Sequence, residues 1–501
     1  MCELRLAEAT PTELARLREL CREAGYDEEG LARAFGLATP AERLERRLPH
    51  LLYLTREGKR LDTLVRLFML GVSVTREETE AALGPELAEA CARWGLVQRC
   101  GDAVSARVRL TPFRGLLLAT DQPQRPEIAR RADQVMGITP STVTLANFTV
   151  RRPARNALDL GTGCGVQALL AASHAEQVWA TDRNSRALEF ARFNACLNNL
   201  ANICFLQGDR YEPVRGRRFE LIAVNPPFAV SPSLRYYYRD SGEPAERFVQ
   251  GLARMAPEHL EEGGFFQMIL DWVERAGQDW RQRLASWFEG SGCDVWAFRL
   301  SREPAPLYAY VWLRDTEPAD ATEADRLYRQ WMEYFEQEKV EAVSNGLIAM
   351  RRRSARNWAR FDEISTEVPP SAGEWVELAF RLSDYLETTS DEELLAARLR
   401  LSQDARLIEE SQVRQGRWQA ESCRIRLCRG LYWEGRVDLR LKDLLARMDG
   451  RHELRDLLVH LAVELGAAPG KVITQALPLL RDLILRGFLL PEGFDPPGQP
   501  A

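Results

Sequence analysis

The spacing of apolar residues changes along the chain, and each change marks a different kind of element. At the N-terminus the spacing is helical. "TPTELARLRELCREAGY" starts at a threonine cap, carries Glu13 three residues beyond Thr10, and places its leucines on one face. The stretch "LDTLVRLFMLGVSVTREETEAALGPELAEACARWGLVQRCGDAVSARVRLTPF" predicts three short helices followed by a hairpin that turns at Cys100-Gly101-Asp102. From Asn156 the pattern becomes short apolar runs alternating with helical stretches: "NALDL", "QVWATD", "ICFLQGD", "FELIAVN" and "GGFFQMIL". Continuous β-rich runs separated by helices predict a parallel sheet covered on both faces, hence an α/β domain. A terminal antiparallel hairpin is expected over "DVWAFRLSREPAPLYAYVWLRD", Asp294 to Asp315. Beyond Glu317 the spacing is helical again, with an extra strand possible at "GLIAMRRR". From about Pro370 the tail reads as helices, a strand-like "CRIRLCRGLYW", and a closing set of helices with a short strand.

This order divides the chain into three domains: 1–115, mainly helical; 116–365, the α/β part; and 366–501, again mainly helical. Helices followed by a hairpin resemble a winged helix at the N-terminus, and the last helices and strand resemble a second, smaller one. Such modules often bind nucleic acid. The segment in the recognition-helix position, "GPELAEACARWGLV", is acidic and apolar, which points to packing or protein contact instead. No repeat or low-complexity block interrupts the chain.

Composition narrows the classes. An apolar content of 45% suffices for packed cores, and a net charge of -6 gives no overall field toward nucleic acid or anionic lipid. Any such binding must come from a local patch. No run is apolar enough to span a membrane, and the charged start "MCELRLAEATPTELARL" lacks a signal-peptide core, so a soluble, cytoplasmic protein is expected. The ten cysteines and five histidines show no metal-ligand spacing, and reduced thiols with no bound metal are expected.

The segment "NALDLGTGCGVQALLAA" sets Gly161, Gly163 and Gly165 between a strand and a helix, where a backbone without Cβ turns sharply and lets a ligand approach. Val166 holds the position where a dinucleotide fold places its third glycine. The second strand ends in Asp182, nineteen residues beyond Gly163, the distance at which such folds set an acid on a ribose diol. The third strand ends in Gly208-Asp209, and an aspartate there can accept from an adenine amino group. Asp159, just before the glycines, repels a pyrophosphate and favours a sulfonium with an α-amino group. S-adenosylmethionine is therefore the expected cofactor, ahead of NAD.

At "LIAVNPPFAV" a buried strand stops at Asn225, Pro226, Pro227 and Phe228. Neither proline can donate a ladder hydrogen bond, so the pair ends the strand and stiffens the backbone beyond it. An asparagine oxygen and a proline carbonyl can together accept both hydrogens of a planar NH2 group, and Phe228 can stack on it. These four residues are the candidate catalytic set.

The stretches "LDLGTGCGVQAL", "ATDRNSRALEFARFNACLNN", "FLQGD" and "NPPF", in this order, resemble the class I amino-methyltransferases. These include release-factor glutamine methyltransferases, ribosomal RNA guanine-N2 methyltransferases and N6-adenine methyltransferases. The likeness covers about Ala132 to Asp315. It implies a Rossmann-like, seven-stranded fold. It also implies cofactor contacts from Asp159, Gly161, Thr162, Gly163, Cys164, Gly165, Asp182, Arg183, Asp209, Arg210 and Asn225, with the target nitrogen held by Asn225 to Phe228.

Signals about the target conflict. Phe228 is common in the guanine-N2 group, whereas "RDSGEPAERFV" resembles the glutamine enzymes. "MRRRSARNWARF", Met350 to Phe361, holds five arginines and a tryptophan that could bind RNA phosphates or a base, or pair with nearby acids. "RYYYRD", Arg235 to Asp240, follows the tetrapeptide as a lid or as ordinary packing. The first expectation is N-methylation of an exocyclic base nitrogen of RNA. The alternatives are glutamine-N5 methylation of a protein and a non-catalytic cofactor-binding scaffold.

Overall fold

The computed structural model describes residues 5–37, 44–123, 131–317 and 320–495. They divide into two compact units, one built from the chain up to Ala146 with Pro153–Asp362, the other from Asn147–Arg152 with the chain from Glu363 onward. The boundary expected at 115/116 thus runs through the interior of one unit.

The first unit is organised by an eight-stranded sheet. Its strands are β1 (Ala154–Leu160), β2 (Ala175–Asp182), β3 (Ile203–Gln207), β4 (Phe219–Val224), β5 (Leu260–Glu274), β6 (Cys293–Pro304), β7 (Ala342–Arg352) and β8 (Ala359–Glu363), in the order β8-β6-β7-β5-β4-β1-β2-β3. From β3 to β5 neighbouring strands are parallel, whereas β7 lies antiparallel to both β5 and β6. The register aligns Leu160 of β1 with Thr181 of β2 and with Val224 of β4, so these strands end together at one edge. Helices α1 (Val166–Ala171) and α2 (Ser185–Leu197) follow β1 and β2.

Two expectations need correction. The hairpin over Asp294 to Asp315 does not form: after β6 the chain enters helix α3 (Ala305–Thr316), then α4 (Ala321–Gln337), and the partner of β6 is β7, which contains "GLIAMRRR". Pro304 and Pro306 explain the switch, because proline at a helix start has its φ already set and its missing N–H costs nothing there. The sheet also has eight strands rather than seven, since "ARFDE" from the arginine-rich cluster adds β8 at the edge.

N-terminal to the sheet, Arg60–Leu64 and Val65–Met69, Val74–Thr75, Arg76–Leu83, Pro85–Arg93, Val97–Cys100 and Ala103–Ala106 succeed one another as helix, strand, two helices, two strands. Helix Pro85–Arg93 buries Leu87, Ala88, Ala90 and Cys91, and the adjacent Trp94 meets Phe193 of α2 edge to face. A further hairpin, Val108–Phe113 with Leu116–Asp121, is held by two asparagines one turn apart, Asn194 on α2 and Asn198 at its C-terminal cap. Asn194 accepts from the Ala119 amide at 2.7 Å and donates to its carbonyl at 2.9 Å, and Asn198 treats Leu117 the same way at 2.9 and 2.8 Å. One apolar core runs continuously from Leu6 through Leu118 to Phe190 and Leu197.

The second unit contains helix Ala372–Thr388, the hairpin Ala405–Arg414 with Arg417–Leu427, and a three-stranded sheet that pairs Arg398–Leu401 with both Asp449–Glu453 and Leu489–Pro491. Helices Leu454–Glu464 and Pro469–Leu485 pack with that sheet.

Candidate active site

The carboxyl ends of β1, β2 and β4 open into a cavity of about 1120 Å³. That exceeds the usual range for a single small-molecule site, roughly 300–1,000 Å³.

On one side lies the turn between β1 and α1. The amides of Gly161 and Thr162 both donate to the Thr181 carbonyl, at 2.9 and 2.8 Å, which folds the turn back over β2. Gly161 and Gly163 adopt φ of 77° and 55°, and a Cβ on either would meet no atom within 4 Å. Bare backbone therefore faces open cavity at both positions. Gly165 behaves differently. A Cβ there would stand 2.8 Å from Leu169 and 3.1 Å from Ala191, so this glycine lets α1 and α2 pack closely. It is not among the cavity-lining residues.

Asp182 closes the same side. One carboxylate oxygen accepts from the Gly163 amide at 2.9 Å and the other from the Asn184 amide at 2.8 Å. Burial pushes its pKa up, and these amide bonds oppose the shift. Arg183 lies over the Tyr237 ring at 4.9 Å. Asp209 and Arg210 line the wall as expected, but the Arg210 guanidinium is already committed to Glu243 and to the face of Phe248.

Asp159 lines the cavity and also braces the turn. It is buried, and one oxygen accepts from the Thr162 hydroxyl at 2.6 Å and the Ala168 amide at 2.9 Å, tying the glycine turn to α1. Burial pushes its pKa up to about 7. Thr162 and Cys164 line the cavity, and burial pushes the Cys164 thiol up to about 12.

At the end of β4, the strand next to β1, Asn225, Pro226, Pro227 and Phe228 line the same cavity. Among the described residues the Asn225 amide has no hydrogen-bond partner. Its acceptor and donor are free for a ligand.

Several lining groups carried no clear signal in the sequence. Gln134 and Gln167 are buried, and among the described residues the Oε1 of each has no hydrogen-bond partner. Thr139, Ser141 and Thr142 form a hydroxyl cluster beside them. Asp271, on the part of β5 that extends past β4, accepts from Tyr308 Oη at 2.7 Å and Asn345 Nδ2 at 2.7 Å. A lone aspartate inside the apolar run "MILDWV" is the only sequence sign of it.

The lid segment is built in. Tyr237, Tyr238 and Arg239 line the cavity, and the Arg239 side chain is fully buried against Asp240, Thr316 and Glu317. The arginine cluster turns inward. Arg351 pairs with buried Asp294 at 2.7 Å, Arg353 approaches the same carboxylate at 3.5 Å, Arg352 donates to the carbonyls of Pro257 and Leu260, and Arg360 lies over Trp296. Among the described residues, no group of His, Cys, Asp and Glu could hold a metal ion, and no helix is long and apolar enough to cross a membrane.

The family model of the methyltransferase small domain matches residues 138–290, which hold the glycine turn, Asp182 and the Asn225 to Phe228 tetrapeptide. The chain contains a methyltransferase small domain. Residues 23–107 and 377–491 each match a domain of unknown function. A release factor glutamine methyltransferase of Xylella fastidiosa is 35% identical over 134 residues, 24% of this chain and 49% of the relative. One from Yersinia pestis is 40% identical over 129 residues, 23% and 46% of the two chains. A tRNA1(Val) (adenine(37)-N6)-methyltransferase of Klebsiella pneumoniae is 31% identical over 150 residues, 26% and 59%. The chain thus spans about half the length of the first curated relatives it matches. The cavity has groups that suit S-adenosylmethionine. A side-chain-free cradle lies at Gly161 and Gly163, a carboxylate stands at the end of β2, and two buried amide oxygens without partners can accept from an ammonium group.

Proposed function

We propose that the protein is an S-adenosylmethionine-dependent N-methyltransferase acting on a planar amino nitrogen. The observation that carries this reading is a juxtaposition within one cavity: the unpartnered Asn225 amide and its proline pair leave β4 beside the end of β1, and they line the same cavity as the Gly161 to Gly163 cradle and Asp182. Gly161, Gly163 and Asp182 hold the nucleoside end of the cofactor, and Gln134 and Gln167 accept from its amino group. When bound, S-adenosylmethionine supplies the methyl group on its sulfonium. The Asn225 oxygen and a carbonyl of the proline pair accept the two N–H bonds of the target. Acceptors on both hydrogens draw the nitrogen out of plane and aim its lone pair along the transfer line. Phe228 packs on the flat face of the target.

The reading for the owner of that nitrogen is a glutamine side chain of a protein, ahead of the RNA base first expected from the sequence. Two observations support this order. Arg351, Arg352 and Arg353, the run that would have gripped RNA phosphates, are engaged by Asp294 and by the carbonyls of Pro257 and Leu260, and the relatives from Xylella fastidiosa and Yersinia pestis are glutamine methyltransferases. An exocyclic base amine is the second reading, favoured by Phe228 as a stacking surface and by the tRNA adenine-N6 relative.

The test incubates the purified protein with methyl-labelled S-adenosylmethionine and fractionated cell extract. Label in protease-sensitive, RNase-resistant material is expected, and label only in RNase-sensitive material reverses the order of the two readings. Asn225→Ala should leave binding of S-adenosylhomocysteine within about twofold and lower transfer on the order of 10²- to 10³-fold. Unchanged transfer by that variant would remove Asn225 from the catalytic set, and no transfer by the parent protein into any fraction would leave only a cofactor-binding scaffold.

A further inference from the structure

Between β6 and β7 the chain inserts α3 and α4, and this insert holds the segment that comes after the catalytic tetrapeptide. From Asn225 to Glu246 the chain has neither helix nor strand of its own. Such a segment needs external partners, and the insert provides several, at both ends and in the middle. Val230 donates its amide to Tyr308 Oη at 3.0 Å. The buried Arg239 guanidinium donates to Thr316 Oγ1 at 2.5 Å and to Glu317 at 2.9 Å. Ala245 donates its amide to Tyr334 Oη at 2.7 Å. Both ends of the segment, Val230 and Ala245, are packed into one apolar cluster with Tyr308, Leu313, Trp331 and Phe335.

Tyr308 is the grip nearest the chemistry, because Val230 lies two residues beyond Phe228. A phenol oxygen can donate one hydrogen bond while accepting others. Asp271 accepts a hydrogen bond from Tyr308 Oη at 2.7 Å and is itself fixed by Asn345, its cross-strand partner on β7. With its hydrogen directed at Asp271, the phenol presents lone pairs to the fully buried Val230 amide. A rigid chain of contacts therefore runs from β5 and β7 through Tyr308 to the exit of the tetrapeptide.

We propose that Tyr308 is a positioning residue for the methyl transfer, oriented by Asp271, and that it sets the placement of Asn225 to Phe228 without touching the reacting atoms. The proposal rests on the methyltransferase function proposed for the same cavity. Losing the hydroxyl leaves the Val230 amide buried and unpaired, so the segment must shift to find another acceptor. Because a misplacement of about 1 Å in a reacting group can cost on the order of 10²-fold in rate, a modest shift is enough to be read.

The experiment compares Tyr308→Phe, Asp271→Asn and a control, Tyr310→Phe, whose exposed ring lies on the same helix. Hydrogen–deuterium exchange of the peptide spanning 225–236 is expected to speed up in the first two and remain as in the parent in the control. Calorimetric binding of S-adenosylhomocysteine should stay within about twofold in all three. Methyl transfer into the labelled extract fraction should fall roughly 10- to 100-fold in kcat for the first two, with KM for S-adenosylmethionine unchanged. Parent-like exchange and kcat in Tyr308→Phe overturns the proposal, as does a loss of cofactor binding equal to the loss of rate, which marks a general structural role. If the parent protein transfers no methyl group, the function itself is lost, and the exchange comparison still decides whether Tyr308 holds the segment.

Discussion

At the scale of single residues, the site depends on carboxylates taken out of water. Asp159 and Asp271 are fully buried, and burial holds the pKa of each up at about 7 in spite of hydrogen bonds that pull it down. The ordinary value is 3.8, so between roughly pH 4 and 7 the folded protein keeps protons that the unfolded chain has released. Stability contributed by these groups therefore falls as pH rises through that window and is flat above it, with a limiting slope of about 1.4 kcal/mol per pH unit for each group. Asp271→Asn removes one of the two. The difference in unfolding midpoint between the parent and this variant should change across the window in the variant's favour as pH rises, measured by thermal melts at matched ionic strength. Parallel midpoint curves would show that Asp271 does not carry the expected proton.

At the scale of elements, the parallel strands and the glycine turn were legible because their signals are local. "NALDL" and "FELIAV" are continuous apolar runs, and Gly161, Gly163, Asp182 and Asn225 sit at strand ends where the topology must bring them together. The stretch from Ala305 to Thr316 was misread because its tyrosines, valine and tryptophan suit a strand by composition. Its prolines and the spacing of Tyr308, Val311 and Trp312 suit a helix with one face toward the cavity. Gln134, Gln167 and Asp271 were invisible for another reason. Their meaning lies in what they face after folding, and an isolated Gln or Asp has no periodicity. For the arginine cluster the sequence leaves RNA binding and pairing with nearby acids both open, and Asp294 beneath Arg351 and Arg353 answers to the second. Arg351→Ala should consequently act on folding, costing about 3–5 kcal/mol by leaving a buried carboxylate short of its partner, as read by a lowered thermal midpoint. RNA affinity should be unaffected in a filter-binding titration, and a variant with parent-like melting but weaker RNA binding would restore the cluster's nucleic-acid role.

At the scale of the whole molecule, the two asparagines of α2 and its C-terminal cap have a consequence beyond the hairpin they hold. Asn194 makes three hydrogen bonds in the interior, two to Ala119 and one to the Cys164 carbonyl at the glycine turn. Cutting the chain ahead of residue 132 would remove Ala119 and Leu117 together, stranding two amides and stripping the apolar residues from Leu6 to Leu118 off the α2 face of the core. A protein that starts at residue 132 should accordingly lack a cooperative melt and fail to bind S-adenosylhomocysteine, whereas a soluble, cooperatively melting fragment would contradict this. The methyltransferase small domain is thus not a portable cassette in this chain. Any ancestor that recombined it would have had to carry the preceding hundred or so residues along, so the N-terminal part and the sheet are expected to be inherited, lost and exchanged as one piece.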